Sequence, residues 1–193
     1  TGEVLGLGKN LQEAMFKGLV SAGYKVEKAE RGGVLISVNH RDQPEIVNIA
    51  RKLDEMGYKL YATDGTAHEI EQLGTSVEVV GKLGKDNRVF QMLEEGKIDY
   101  VVYTGKTDME SITNYISLHH HAILLGITVL TSLDTTNALA DCIAGRYTQF
   151  NTELVDINHL RKEKLKLSFC KMHSCGNDYI FFDNRDGRIT SPE

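Results

Sequence analysis

From residue 33 to about residue 145, short apolar runs alternate with segments of helical periodicity. The apolar runs lie near residues 33–38, 59–63, 77–80, 99–104 and 127–131. Strands that alternate with helices are typical of parallel sheets joined by helical crossovers. The alternation therefore predicts an α/β domain of three layers, α/β/α, around a mainly parallel sheet of five strands.

The turn Thr63-Asp64-Gly65-Thr66 follows one of these predicted strands. Gly65 permits a tight backbone path, and Thr66 is predicted to cap the helix that follows. Two hydroxyls and several N–H groups would then meet at a helix N-terminus, where the helix dipole favours an anion. The turn is thus a candidate phosphate cradle, and an ordinary capped turn is the alternative.

Ligands of open parallel sheets bind beyond the carboxyl ends of the strands. In this sequence those ends carry further polar residues: Lys82, Thr104 and the segment 131–135. Several threonines and one cation on a single rim predict a polar pocket for an anionic ligand.

Composition and charge narrow the classes of function. The chain has 193 residues, is 41% hydrophobic and carries a formal net charge of −5 without a dense basic patch, which argues against nucleic acid as the main partner. No apolar run approaches the roughly 20 residues that span a bilayer, so no membrane association is expected. The three cysteines, Cys142, Cys170 and Cys175, lack zinc-site spacing, and a reduced cytoplasmic location is expected.

Changes in composition and periodicity along the sequence divide the chain into three parts, 1–28, 29–162 and 163–193. The first part begins with a glycine-rich stretch, after which Asn10 starts a helical pattern, and it is expected to belong to a preceding domain. The last part alternates polar and apolar residues and is predicted to form a hairpin that opens a module cut short.

The central part resembles the methylglyoxal synthase-like domain that ends the large subunit of carbamoyl phosphate synthetase. The residues that carry the resemblance are Val34-Leu35-Ile36-Ser37-Val38, Ala62-Thr63-Asp64-Gly65-Thr66-Ala67, Val79-Val80-Gly81-Lys82 and Glu95-Gly96-Lys97-Ile98-Asp99. Residues 1–8 resemble the segment that precedes this domain in the same subunit.

The resemblance implies an allosteric regulatory domain that is not itself catalytic and needs no cofactor. The effector would be a nucleotide monophosphate of the uridine or inosine type. The other partners would be the rest of the synthetase large subunit and the glutaminase small subunit. That enzyme makes carbamoyl phosphate from bicarbonate, glutamine or ammonia, and ATP with Mg or Mn, for pyrimidine and arginine biosynthesis.

The resemblance also assigns candidate residues. Thr63, Thr66 and Lys82 match phosphate-contacting positions, Asp64 and Gly65 complete their turn, and Thr104 and Gly105 lie in a further nucleotide-contacting stretch. Three positions depart from the pattern of some members: Gln43 replaces a Lys, Tyr103 an Asn and Gly105 a Thr. These departures leave the identity of the nucleotide open.

Two other functions are alternatives to the effector site. Asp86 matches the catalytic base of methylglyoxal synthase, a lyase of dihydroxyacetone phosphate. However, Asn39 and Gln43 stand where that enzyme has a His and a Lys, and residues 105–107 supply no second His, which argues against the lyase. A bare remnant with a vestigial pocket is the third hypothesis.

Two further motifs lie outside this site. His119-His120-His121 is predicted to be a solvated helix face, because consecutive helical residues point about 100° apart and converge poorly on one metal ion. Residues 171–178 resemble the start of diaminopimelate epimerase, with Ser174 in place of a Gly and Asn177 at a substrate-contacting position. Both catalytic cysteines of that family are missing from this stretch, so no racemisation is expected.

Overall fold

The computed structural model describes residues 3–26, 32–81, 87–105, 109–155, 169–174, 177–182 and 187. The chain divides into two compact units, one of residues 28–137 and the other of residues 1–27 with 138–193. Within the described ranges, no helix combines the length and apolar character needed to cross a membrane.

The elements are named here in chain order. They are β1 (Val4–Gly6), α1 (Leu11–Ser21), β2 (Gly33–Val38), α2 (Gln43–Glu55), β3 (Lys59–Thr63), α3 (Asp64–Gln72), β4 (Glu78–Val80), α4 (Arg88–Glu94), β5 (Tyr100–Thr104), α5 (Met109–Leu124), β6 (Thr128–Leu130), α6 (Leu133–Ala144), β7 (Phe169–Ser174) and β8 (Asn177–Phe182). A 3-10 turn over His40–Asp42 joins β2 to α2.

The unit of residues 28–137 is built on a parallel sheet of five strands in the order β4-β3-β2-β5-β6. β2 is the central strand, and its Leu35 pairs with Tyr61 of β3 on one side and with Val101 of β5 on the other. The predicted strand bounds 33–38 and 59–63 are confirmed residue for residue. The predicted α/β fold with helices flanking a five-stranded sheet is also confirmed.

Helices bury the two faces of this sheet. The predicted apolar face of α2, namely Ile46, Ile49, Ala50 and Leu53, is buried, and α2 packs against α3. On the opposite side α4 packs against α5, and a core cluster joins Leu35 to Val89 and Met92 of α4 and to Leu118 of α5. Burying both faces of a parallel sheet requires near-continuous apolar strands, as in β2.

The other unit contains a three-stranded sheet in the order β1-β8-β7. β7 and β8 form the predicted antiparallel hairpin, and β8 also pairs in parallel with β1. α1 begins after Asn10, as predicted, because the Asn10 side chain accepts a hydrogen bond from Glu13 N at 2.8 Å. The carboxylate of Glu13 is buried and satisfied by Lys9 N and Glu153 N, each at 2.9 Å, and by Lys17 Nζ at 2.8 Å.

Two local predictions were wrong. α3 begins at Asp64, so Thr66 lies inside the helix and does not cap it. α6 begins at Leu133, so Asp134 is a residue of its first turn and not its cap. Of the predicted strand over 165–169, only Phe169 is among the described residues, and it lies in β7. The predicted boundaries near residues 28 and 162 lie outside the described residues.

Candidate functional site

The candidate site lies at the carboxyl end of the five-stranded sheet, around the end of its central strand. There β2 gives way to Asn39, whose side chain accepts from Arg41 N at 3.3 Å and so caps the 3-10 turn. Because β3 and β5 flank β2, the residues at their carboxyl ends lie on either side of this turn.

Three of the predicted threonines form hydrogen bonds with three consecutive residues at the end of the central strand. These residues are Ser37, Val38 and Asn39. Thr63 donates from Oγ1 to Ser37 Oγ at 3.3 Å. Val38 N donates to Thr66 Oγ1 at 3.3 Å. Asn39 N, directly after the end of β2, donates to Thr104 Oγ1 at 3.0 Å and also to the Thr104 carbonyl at 3.1 Å.

The N-terminus of α3 forms one wall of the site. Thr63 is its N-cap by backbone geometry, with φ −70° and ψ 151°, but its side chain makes no capping hydrogen bond. The first-turn N–H groups therefore lack the side-chain acceptor that usually satisfies one of them. Asp64 is exposed in that first turn and places a negative charge at the positive end of the helix.

Gly65 provides close access at this helix end. Its backbone conformation is ordinary for a helix, so the tight backbone path expected from the sequence does not explain why a glycine stands here. A Cβ added at Gly65 would meet the Gln43 side-chain nitrogen at 3.3 Å. The amide of Gln43 is thus a direct neighbour of the predicted cradle.

Thr66 is buried, with 1% of its surface exposed, and its hydroxyl is covered. Its observed partner is the main chain of Val38, which joins α3 to the end of the central strand. In this arrangement the Thr66 side chain connects α3 to the end of β2.

The other wall of the site contains a residue that the sequence reasoning missed. Thr104 Oγ1 donates to the carboxylate of Asp42, the last residue of the 3-10 turn. The Thr104 hydroxyl therefore both donates and accepts within the protein. The signal that could have found Asp42 is its position, since it is an acidic residue that follows the end of the central strand by four positions.

Two basic side chains also follow the central strand. His40 and Arg41 form the 3-10 turn together with Asp42, and both are exposed. Arg41 is the cation that sequence reasoning overlooked at this rim, and its position two residues after Asn39 was the available signal. The predicted cation Lys82, the candidate base Asp86 and residues 106 and 107 lie outside the described residues.

Gly105 and Tyr103 are in close steric contact. The ring of Tyr103 folds over Gly105, so that a Cβ at residue 105 would overlap its Cε1, Cζ and Oη atoms. The ring is fixed by a hydrogen bond from Oη to the Ser111 carbonyl at 3.3 Å and by stacking on Tyr115 at 4.9 Å. With the Tyr103 ring in this position, residue 105 has no room for a Cβ.

A charged cleft of about 210 Å³ lies along the same unit, at the amino ends of β3 and β4. Glu78 accepts from Lys59 Nζ at 2.7 Å and from Arg88. The hydrogen bond to Glu78 raises the pKa of Lys59, and the same bond lowers the pKa of Glu78. Because Lys59 begins β3 and Thr63 ends it, this cleft is distinct from the threonine site.

The three histidines of α5 differ in their surroundings. The His119 ring stacks on Tyr115 at 5.3 Å, and the His121 ring lies 4.7 Å from Phe90, so these two rings are only partly exposed. His120 is exposed. Among the described residues no group of three or more His, Cys, Asp or Glu side chains could hold a metal ion.

Comparison with known proteins bears on the unit that holds the site. Residues 45–131 match the family model described as MGS-like domain. The matched range runs from α2 through β6 and therefore includes α3 and the ends of β3 and β5. Together with the observed strand order, the match gives the methylglyoxal synthase-like α/β fold.

Among solved structures, the chain is similar to the crystal structure of methylglyoxal synthase from Elizabethkingia anophelis NUHP1. The sequence identity is 19%, and the TM-score is 0.48 over 71% of this chain and 94% of that chain.

Proposed function

We propose that the carboxyl-end rim binds the phosphate of a nucleoside monophosphate, and that this unit is the allosteric regulatory domain of a carbamoyl phosphate synthetase large subunit. The observation that carries the proposal is the convergence of Thr63, Thr66 and Thr104 on three consecutive residues at the end of the central strand. The assignment to the synthetase rests on the sequence resemblance.

The proposed position of the phosphate is the N-terminus of α3. Free N–H groups of a first helical turn suit an anion, and Thr63 leaves that turn without a side-chain cap. Thr63 is only partly buried, so its hydroxyl can turn from Ser37 to a ligand, whereas buried Thr66 acts as a positioning residue. Arg41 and Lys82 are the cations proposed to neutralise the phosphate.

The opposite wall suits a different part of the ligand. The carboxylate of Asp42 repels a phosphate but accepts readily from a neutral hydroxyl. A ligand with an anion at one end and hydroxyl groups at the other satisfies both walls. This polarity favours a sugar phosphate or nucleotide over orthophosphate alone.

Isothermal titration of the full chain tests the binding site. We expect uridine or inosine monophosphate to bind, and Thr63→Val to weaken the binding about tenfold because one hydrogen bond to a charged group is lost. Thr113→Val, an exposed threonine on α5, is the matched control and should leave the affinity unchanged. The absence of binding at millimolar nucleotide, or equal affinity of both variants, would refute the proposed site.

The regulatory role needs the intact synthetase. Linkage requires that an effector which changes the synthetase equilibrium binds one of its states more tightly. Thr63→Val placed in the full enzyme should therefore shift the response to about tenfold higher nucleotide concentration and leave the basal rate unchanged. A variant that binds no nucleotide yet is regulated normally would show that this site does not mediate the regulation.

A lyase of the methylglyoxal synthase type is the competing function. Two of its positions are engaged elsewhere: Asn39 caps the 3-10 turn through its side chain, and Gln43 lies against Gly65. Neither is a cation or a proton-transfer group. Release of methylglyoxal from dihydroxyacetone phosphate by the purified chain, lost in Asp86→Asn, would establish the lyase in place of the effector site.

A further inference from the structure

The carboxylate of Asp42 is held by a neighbouring strand and not by its own helix. Asp42 precedes α2 at the N-cap position, where an aspartate commonly accepts from N–H groups of the first turn, but its side chain makes no capping hydrogen bond. It accepts instead from the hydroxyl of Thr104, the last residue of β5. The Thr104 hydroxyl accepts in turn from Asn39 N at 3.0 Å, so the carboxylate is connected to the end of the central strand.

This carboxylate keeps capacity for another donor. A carboxylate offers about four acceptor positions on its two oxygens. In the part of the chain that the structure describes, the Asp42 side chain receives one hydrogen bond, on Oδ2. Asp42 is partly buried, so a ligand at the rim can reach it. An ionised acceptor that is held in place and has spare capacity suits a neutral hydroxyl donor.

The position of Asp42 sets which part of a nucleotide it meets. Gln43 follows it directly, and the Gln43 side-chain nitrogen lies 3.3 Å from the position of a Cβ added at Gly65, in the first turn of α3. Adjacent Cα atoms are about 3.8 Å apart, so Asp42 is one residue away from the side chain that borders the proposed phosphate position. The group next to the phosphate in a nucleotide is the sugar, and the sugar is therefore the part expected to reach Asp42.

Acidic residues bind ribose in other open parallel sheets. In the dinucleotide-binding sheet an Asp or Glu accepts from the ribose 2′-hydroxyl while the pyrophosphate lies at a helix N-terminus. We propose that Asp42 accepts a hydrogen bond from the ribose 2′-hydroxyl, so that the site selects ribonucleotides over 2′-deoxyribonucleotides. The inference rests on the proposed function and names the sugar that the same site takes.

Thr104 acts on the sugar through Asp42. Its hydroxyl donates to Asp42 and accepts from Asn39 N, so its proton is already used inside the protein. Thr104 is therefore a positioning residue, whereas the sequence resemblance implies a direct contact with the nucleotide. Thr104→Val should reduce the preference for ribose, and Thr104→Ser, which keeps the hydroxyl, should retain it.

The charge of Asp42 and its hydrogen bond have different effects on binding. The charge repels the phosphate of every nucleotide to the same extent, whereas the hydrogen bond forms only with a sugar that has the hydroxyl. The ratio of the dissociation constants of 2′-deoxyuridine and uridine monophosphates cancels the repulsion, since specificity is a difference of affinities. This ratio therefore reports the hydrogen bond alone.

Isothermal titration of the full chain measures the ratio, with uridine monophosphate and its 2′-deoxy and 3′-deoxy forms as probes. The wild-type chain should bind the 2′-deoxy form about tenfold more weakly, because one hydrogen bond to a charged group is lost. Asp42→Ala should bring the ratio close to one. Asp42→Asn keeps the shape of the side chain and should give an intermediate ratio, since a neutral oxygen is a weaker acceptor.

Asp54→Asn is the matched control, because it makes the same change of charge at an exposed position about 18 Å further along α2. It should preserve the ratio of the wild-type chain. Equal binding of uridine and 2′-deoxyuridine monophosphates by the wild-type chain would overturn the role of Asp42 and leave the phosphate site standing. A preference that survives in Asp42→Ala, or one lost only with the 3′-deoxy form, would also overturn it. The absence of binding by all three probes would refute the proposed function together with this inference.

Discussion

At the scale of single residues, Gly105 and Tyr103 are coupled by shape. Gly105→Ala should lower the free energy of unfolding by about 1–3 kcal/mol, because the new Cβ overlaps a ring that is held by Ser111 and Tyr115. In a Tyr103→Asn background the same change should cost almost nothing. Denaturant unfolding of the four proteins of this double-mutant cycle measures the coupling, and equal costs in both backgrounds would contradict it.

Cys142 gives a prediction for pH. Burial raises the pKa of its thiol from an ordinary value of 9.0 to about 12, with a smaller contribution from Asp141. The folded state therefore favours the neutral thiol, and the stability that this provides is full below pH 9 and is lost as the pH rises towards 12. Unfolding measured across that range should show a steeper decline for the wild-type chain than for Cys142→Ala, and identical slopes would contradict the shift.

At the scale of elements, the uncapped N-terminus of α3 predicts two effects of opposite sign. Asp64→Asn removes a carboxylate that stabilises the first turn, so stability should fall by about 0.5 kcal/mol. The same change removes a repulsion from the proposed phosphate, so the affinity for the nucleotide should rise severalfold. Thermal unfolding and calorimetric titration of one variant measure both, and weaker nucleotide binding would place the phosphate elsewhere.

The elements also show how far sequence reasoning reaches. β2 and β3 were predicted to the residue because buried strands in a parallel sheet are continuous apolar runs with sharp polar ends. The start of α3 was misplaced because threonine is a residue type that often caps helices. In the structure the Thr66 hydroxyl instead accepts a hydrogen bond from Val38 N, 28 positions earlier. Periodicity reports local structure and contains no information about such a distant partner.

The location of the candidate site was predictable from the sequence, but the contacts between its side chains were not. Its location followed from the rule that ligands bind at the carboxyl ends of parallel strands, which places Thr63 and Thr104 on one rim. The contact between Thr104 and Asp42 did not follow, because it depends on how the 3-10 turn folds back across the strand end. Side-chain pairing between neighbouring loops is set by tertiary structure alone.

At the scale of the whole molecule, the proposed effector should act on one of the two units. A ligand at one hundred times its dissociation constant stabilises the state that binds it by about 2.7 kcal/mol. Hydrogen exchange of the full chain should therefore slow at the first turn of α3 and at residues 37–39 and stay unchanged in α1, which belongs to the other unit. Protection spread evenly over both units would argue against binding at this rim.

The pairing of β1 with β8 has a consequence for how the molecule folds. It sets Val4 beside Tyr179, so the two strands are far apart in the sequence. The five strands of the other sheet lie between them along the chain. Contacts so distant along the chain form late, because the entropy of closing the intervening loop must be overcome before they contribute stability. Formation of the five-stranded unit shortens that loop, and during synthesis on the ribosome β1 stays unpaired until β8, about 170 residues later, has emerged.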